Sequence, residues 1–417
     1  MQVVIFEDEK VHGLRPLVHF KPVYDLFCGC RTILQKFRFH LGRGGAFSCH
    51  LRSYLEPVRR VDLPVYKYNG LPKTDILLVN GRLLCDQKAA AVILRNPPAP
   101  GQCLRQGDDL IFARVTAGLV AARDGAFPDY IDTEFLAAGA DVVETDGFRL
   151  IQNIWDPVAL HPEELEREAE TLSLGRIEGR VSTHSGIENP GNIYVGEGAV
   201  VKPGAVLDAE SGFVYVSPGA VIEPQAVLAG NVFIGESAQV KTAANLHDNV
   251  TVGNASKTGG EIEDSIVEPY ANKQHEGFLG HSYISSWCNL GAGTNTSDLR
   301  NNYGKVRLSI GGKEVQTGEQ FLGLLMGEHT KCSINSMFNT GTIAGTSSNI
   351  FGSGFPPKNI PSFSWGGPAS GYSHYEIEKA IDTARAVMAR RNVIMSPAYE
   401  TMFRHVAAIE QGEEFTL

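Results

Sequence analysis

Residues 216–252 read VSPGAVIEPQAVLAGNVFIGESAQVKTAANLHDNVTV. Aliphatic side chains stand at 216, 222, 228, 234, 240, 246 and 252, in the order Val, Ile, Leu, Ile, Val, Leu, Val. Four places after most of them comes a small residue: Ala220, Ala226, Ala238 and Ala244. A helix repeats at about 3.6 residues and a half-buried strand at about 2, so neither yields this step of six. A hexapeptide repeat does. Each repeat is a short strand and a turn, with one aliphatic residue pointing inward from one face of a triangular coil. The same step runs through 195, 201 and 207, through 278, 284 and 290, and through 326, 332, 338, 344 and 350. Phe278, Ile284 and Leu290 are therefore expected to point inward. The Gly, Pro, Asn and Asp residues between inward positions supply turn backbone. Coils of this kind stack into one continuous core.

The rest of the chain has a different texture. VVIFED (3–8) and DILLVNG (75–81) are apolar runs that end in polar turns, as in the buried strands of an α/β sheet. HPEELEREAETL (161–172) reads as a polar connecting helix with Pro in its first turn. SHYEIEKAIDTARAVMARR (373–391) carries an apolar stripe at helical spacing, and PAYETMFRHVAAI (397–409) forms a second helix. The expected organisation is an α/β domain over 1–160, a connecting helix over 161–185, a left-handed parallel β-helix over 186–365 and a helical tail over 366–417.

Composition narrows the function. With 37 Lys and Arg against 47 Asp and Glu, the net charge of −10 gives no general field for nucleic acid. No apolar run is long enough to span a membrane, and MQVVIFEDEK lacks the basic start of a signal peptide. Seven scattered cysteines suit reduced thiols and a cytoplasmic location. Cys28 and Cys30 read as buried apolar residues rather than metal ligands.

The chemistry concentrates in NKQHEGFLGHSYISSWCNLGAGTNTSDLRNNYG (272–304). His275 and His281 are six apart, so they fall on adjacent faces and do not converge on one metal within a chain. No metal site is expected. His275 is either an exposed turn residue or a general base, since imidazole takes a proton near neutral pH. Lys273, Asn289, Asn302, Tyr303 and Lys305 are polar groups suited to a phosphorylated sugar. His281 reads as structural.

KTGGEIE (257–263), HEGFLG (275–280), NLGAGT (289–294), SDLRNNYG (297–304) and FNTG (338–341) carry a likeness. Together they resemble the bifunctional glucosamine-1-phosphate acetyltransferase/N-acetylglucosamine-1-phosphate uridylyltransferase family. The chain is most similar to its divergent branch of sugar nucleotidyltransferases with a solenoid tail. The resemblance implies that His275 deprotonates the acceptor amine and that Asn289, Asn302, Tyr303 and Lys305 bind the sugar. It implies that the backbone at Ala292 and Thr346 meets acetyl-CoA, and that the protein is a homotrimer with donor sites between subunits. Phe278 replaces a family Tyr, and Lys257 or Lys273 stands in for upstream basic residues.

In the N-terminal domain the family's glycine-rich phosphate loop is replaced by LRPLVHFKP (14–22), where Arg15 and Lys21 are the candidate phosphate contacts. The family's Mg²⁺-binding NGD is NGR here, with Arg82 in place of the Asp and Asp86 nearby, which leaves a role for Mg²⁺ open. The implied activity is acetyl-CoA-dependent N-acylation of an amino sugar phosphate or nucleotide-linked sugar, with or without nucleotidyl transfer. The alternatives are a sugar-1-phosphate nucleotidylyltransferase, or a sugar-nucleotide-binding protein with a degenerate N-terminal domain.

Overall fold

The computed structural model describes residues 1–42, 46–70, 74–122 and 127–412. The N-terminal part is built on six strands: β1 (Gln2–Phe6), β2 (Phe47–Cys49), β3 (Ile76–Asn80), β4 (Gln102–Gln106), β5 (Asp109–Val115) and β6 (Asp141–Glu144). Their order is β2-β1-β3-β5-β4-β6. β1 runs parallel to both β2 and β3, while β3 and β5 are antiparallel. Every residue of β3 is buried, as its unbroken apolar text requires of a strand covered on both faces.

The second half is a parallel β-solenoid of the left-handed β-helix type. Its strands fall on three faces. The first face carries Gly186–Glu188, Val206–Asp208, Glu261–Glu263, Phe278–Gly280 and Asn295–Thr296. The second carries Ile193–Val195, Val214–Val216, Ile266–Val267, Tyr283–Ile284 and Leu324–Met326. The third carries Val200–Val201, Gln239–Val240, Lys257–Thr258, Asn272–Lys273, Asn289–Leu290 and Lys331–Cys332. Coils stack without slippage: Leu228 faces Leu246, Leu246 faces Ile262 and Ile262 faces Leu279. The aliphatic residues of the six-step form the continuous core.

Four details depart from the sequence reading. Leu279, not Phe278, points inward on its coil: it stands six residues after the inward Lys273, and the corner that follows, from Leu279 to Ile284, is one residue short. The solenoid also begins ten residues before the expected 186. Arg176–Ile177 and Arg180–Val181 already pair with Tyr194–Val195 and Val200–Val201. Ile177 and Val181 stand in register with Val195 and Val201 but are four residues apart, so the step of six misses them. The connecting helix is accordingly short, His161–Ala169, and the last solenoid strand, Gly371–His374, runs past the expected end at 365.

The α/β part does not sit at one end of the solenoid. It lies along the second face. Phe27 N donates to Tyr283 Oη (3.0 Å), and Thr251 Oγ1 donates to the Gly29 carbonyl (3.0 Å). Lys21 lies between Glu268 and Glu328. The tail helices Ile377–Ala389 and Pro397–Gln411 close over the same seam, with Phe20 against Phe403 and His329 Nε2 bonded to Tyr399 Oη (2.7 Å). One apolar cluster runs through the α/β sheet, the second face and the tail. Among the described residues no helix is long and apolar enough to cross a membrane.

Candidate functional site

The expected nucleotide crevice lies beyond the C-terminal ends of β1 and β3, where parallel strands of open sheets hold ligands. Here it is filled by the chain's own side chains. Arg52 pairs with Glu7 (3.1 Å), and Arg82 pairs with Asp8 (2.7 Å) and Asp109 (2.6 Å). Arg82 is 0% exposed. It therefore neither repels an ion nor reaches a phosphate, but cancels the two carboxylates that a cation would need. Asp86 accepts from Ala89 N (2.9 Å) and caps the helix that follows. These residues do not fit a Mg²⁺ centre.

Lys21 is a correction to the phosphate assignment. It is buried, and its ammonium lies against the side chains of Glu268 and Glu328. Arg15 keeps partial exposure beside Tyr130, with which it shares a hydrogen bond.

Thr346 is a second correction. It is 0% exposed, and its Oγ1 bonds His19 Nδ1 (3.1 Å) and the Pro16 carbonyl (3.3 Å). Its backbone N–H already donates to Ser362 Oγ (3.1 Å). An acyl donor cannot reach it, because the α/β part covers this stretch of the second face.

Lys273 is a third correction. It occupies an inward position in register with the buried Thr258, and is 1% exposed. Its Nζ donates to the carbonyls of Gly259 (3.0 Å) and His275 (2.6 Å). Burial lowers its pKa to about 8. It ties down the corner from inside instead of meeting substrate.

That corner joins the third face to the first, and His275 stands on it, exposed. Gly260, on the coil beneath, has φ +73°, and an added Cβ would lie 2.9 Å from the His275 carbonyl. Only glycine gives the backbone this conformation and this approach without strain. On the third-face side, Lys257, Asn272, Asn289 and Lys331 follow one another in register. The tail adds Arg391, whose Nη2 donates to Asn272 Oδ1 (2.5 Å). Burial and the positive charges of Arg391, Lys241 and Arg390 hold the Lys257 pKa below its ordinary value. This row is cationic. Ala292, on the corresponding corner of the next coil, is half-buried and accepts from Asn335 N (2.7 Å).

The first face on the other side of His275 is acidic. His247 contacts Asp248 (2.6 Å) and Glu261 (3.4 Å). His281 Nδ1 bonds Asp298 (2.8 Å), its Nε2 lies 3.6 Å from Asp264, and its ring stacks on Phe321. Burial disfavours charge on both rings, but the carboxylates outweigh it and raise both pKa values. Sequence reading took His281 as structural but missed its carboxylate partners and His247, because they are scattered over residues 247–298 and meet only through the stacking of coils. A step of about 14–18 residues between charged positions would have found them.

Asn302, Tyr303 and Lys305 lie elsewhere. They are exposed on an excursion between Thr296 and Leu324 that carries the hairpin Arg307–Ile310/Lys313–Gln316. The excursion leaves from the corner between first and second faces, where Leu299 pairs with Phe321. Within one chain, the width of the first face separates these residues from His275.

Residues 3–177 match the family described as sugar nucleotidyl transferase. A stretch of 128 residues is 32% identical to the bifunctional protein GlmU of Methanococcus vannielii and covers 31% of this chain and 30% of that protein. Against GlmU of Methanococcus maripaludis the identity is 33% over 199 residues, covering 47% and 41%. Against a bifunctional sugar-1-phosphate nucleotidylyltransferase/acetyltransferase of Sulfurisphaera tokodaii it is 29% over 91 residues, covering 22% and 23%. Each match spans less than half of the curated relative. A solved UDP-N-acetylglucosamine acyltransferase aligns with 57% of this chain and 91% of its own, at 12% identity and a TM-score of 0.32.

Proposed function

We propose that the chain transfers an acetyl group from acetyl-CoA to the amine of an amino sugar phosphate or a nucleotide-linked amino sugar, with His275 as general base. The observation that carries this reading is the position of His275 on a corner between a cationic row and an acidic row. An amine arrives largely as an ammonium, which suits the carboxylates of the first face. A phosphorylated ligand suits Lys257, Asn289 and Arg391 on the third. The ammonium first gives up one proton to solvent; His275 then takes the second from the neutral amine as its nitrogen attacks the thioester carbonyl. Backbone amides of the neighbouring corner, at Ala292, stabilise the oxyanion. The C–S bond then breaks, and the thiolate leaves with the proton returned by the imidazolium.

In this reading the protein is a cytoplasmic homotrimer, in keeping with seven free, buried cysteines. Asn302, Tyr303 and Lys305 reach the corner of a neighbouring subunit rather than their own. Nucleotidyl transfer by residues 1–160 has the family match in its favour. The ion pairs of Arg82 and Arg52 weigh against it, so binding without transfer is the expectation for that domain. The test is a mass-spectrometric screen of acyl-CoA donors against amino sugar phosphates and nucleotide-linked amino sugars. Acylated product formed by the native protein and lost in His275→Ala supports the reading; no product across the panel defeats it.

A further inference from the structure

One cavity lies away from both places already described. It is a cleft of about 1000 Å³ between the helix Ile33–Leu41 and the second face of the early coils. One wall carries Arg31, Arg38 and Phe39, and the other carries Tyr215, Phe233 and Asn254.

The walls differ in chemistry. On the solenoid side the outward rings of Tyr194, Tyr215 and Phe233 stack along successive coils, with centroids 4.5 and 5.2 Å apart. The ladder ends at Phe233, because the next coil places Thr251 at that register. Gly253 and Asn254 border the space beyond. Asn254 Oδ1 accepts from Glu236 N (2.9 Å), which fixes the amide and leaves its NH₂ as a donor. The Glu236 carboxylate also borders the cleft and offers acceptors to hydroxyl groups. On the opposite side the Arg31 guanidinium lies over the Phe39 ring, 4.4 Å from its centroid, donates to Thr171 Oγ1 (2.9 Å) and lies 3.6 Å from the Glu168 carboxylate, so Arg38 is the freer of the two cations. Arg38 is exposed and shares a hydrogen bond with Tyr66.

A ring platform, a fixed amide donor, a hydroxyl acceptor and two guanidinium groups across one cleft match a single kind of ligand. We infer that this cleft binds a nucleoside diphosphate moiety. The base packs at the Phe233 end of the ladder, its ribose meets Glu236 and Asn254, and its phosphates meet Arg31 and Arg38. The volume is of the size that encloses such a molecule. Stacking of a base on an aromatic ring and charge-assisted bonds from arginine to phosphate are each strong enough to be read separately. This site does not depend on the acyl-transfer reading, and it differs in place from the filled crevice at the ends of β1 and β3. Two sources share the chemistry: a nucleotide-linked sugar and the adenosine phosphate end of coenzyme A.

The test is calorimetric titration of the full chain with UDP, ADP, coenzyme A, uridine and inorganic phosphate. UDP or ADP should bind, with uridine and phosphate each weaker by roughly tenfold or more, because each engages one wall only. Arg38→Gln should weaken the diphosphate by roughly tenfold without moving the melting temperature, since the side chain is exposed. Phe233→Leu should weaken it while leaving phosphate unchanged. Preference for coenzyme A over UDP would identify the acyl donor as the source, and the reverse a nucleotide-linked sugar. The inference is overturned if no nucleotide binds up to millimolar concentration, if phosphate alone binds as well as UDP, or if both variants titrate like the native chain.

Discussion

Lys273 reaches the carbonyl of His275 from inside the solenoid, at 2.6 Å. A buried ammonium thus anchors the corner that presents the candidate base. Its pKa falls from the usual lysine value to about 8 on burial, so folding disfavours its proton. Stability should therefore rise with pH between about 8 and 10.5, where the unfolded chain still binds that proton. Lys273→Met should flatten this rise and cost little stability at pH 7, yet lower acyl transfer by loosening the corner. Melting curves at pH 7, 8 and 10 and single-substrate kinetics check both halves.

His275→Ala should reduce transfer by about 10²–10⁴-fold, the usual effect of losing a general base. The side chain is exposed, so the melting temperature should hold. A variant that kept full turnover would make His275 an ordinary corner residue. His281→Ala should behave in the opposite way. It leaves Asp298 and Phe321 without their partner, and should cost stability more than it costs turnover at matched folded protein.

Arg82→Ala should destabilise the fold by about 3–5 kcal/mol, because it leaves Asp8 and Asp109 without their buried cation. Urea unfolding monitored by circular dichroism measures this. If the variant is fully stable, the crevice tolerates open carboxylates and the case against a bound cation weakens.

Glu328 is buried beside Glu268, and burial raises its pKa to about 7 despite Lys21. The folded state then holds a proton that the unfolded state releases near the ordinary carboxylate value. Stability should fall as pH rises from about 4.5 through 7. Glu328→Gln should make that decline shallower, which melting temperatures across pH 4.5–8 will reveal.

Tyr303 is 71% exposed and stands across the first face from His275. If subunits share a site, mixed oligomers of His275→Ala and Tyr303→Ala should recover activity that neither variant has alone. Co-refolding the two in equal amounts is the measurement. Sedimentation equilibrium should return a trimer, and a clean monomer would remove the basis for sharing.

The solenoid was legible because one coil repeats its aliphatic positions regardless of what surrounds it. The short strands of α/β text were legible for a similar reason, since buried strands must be apolar throughout. Local counting failed where a corner loses a residue, as between Leu279 and Ile284. It failed again where an inward position is a lysine, as at 273. The fates of Lys21 and Thr346 could not be read at all, because each is set by a partner hundreds of residues away. The acidic row from His247 to Asp298 and the contribution of Arg391 share this origin. Stacking and docking assemble them, and the step of six, which follows the inward aliphatic residues, does not announce them.

The α/β part lies alongside the solenoid, and this fixes the number of coils. Coils stack at the spacing of neighbouring strands, about 4.8 Å. Hydrogen bonds and ion pairs to the α/β part run from Thr251 through Glu268, Tyr283 and Glu328 to Thr346. A solenoid with a free flank can gain or lose a repeat and remain whole. Here a repeat removed between Thr251 and Thr346 would shift every later contact by one rung, setting Lys21 and His19 against the wrong steps of the ladder. The docked domain acts as a gauge against which this stretch of the helix is cut to length.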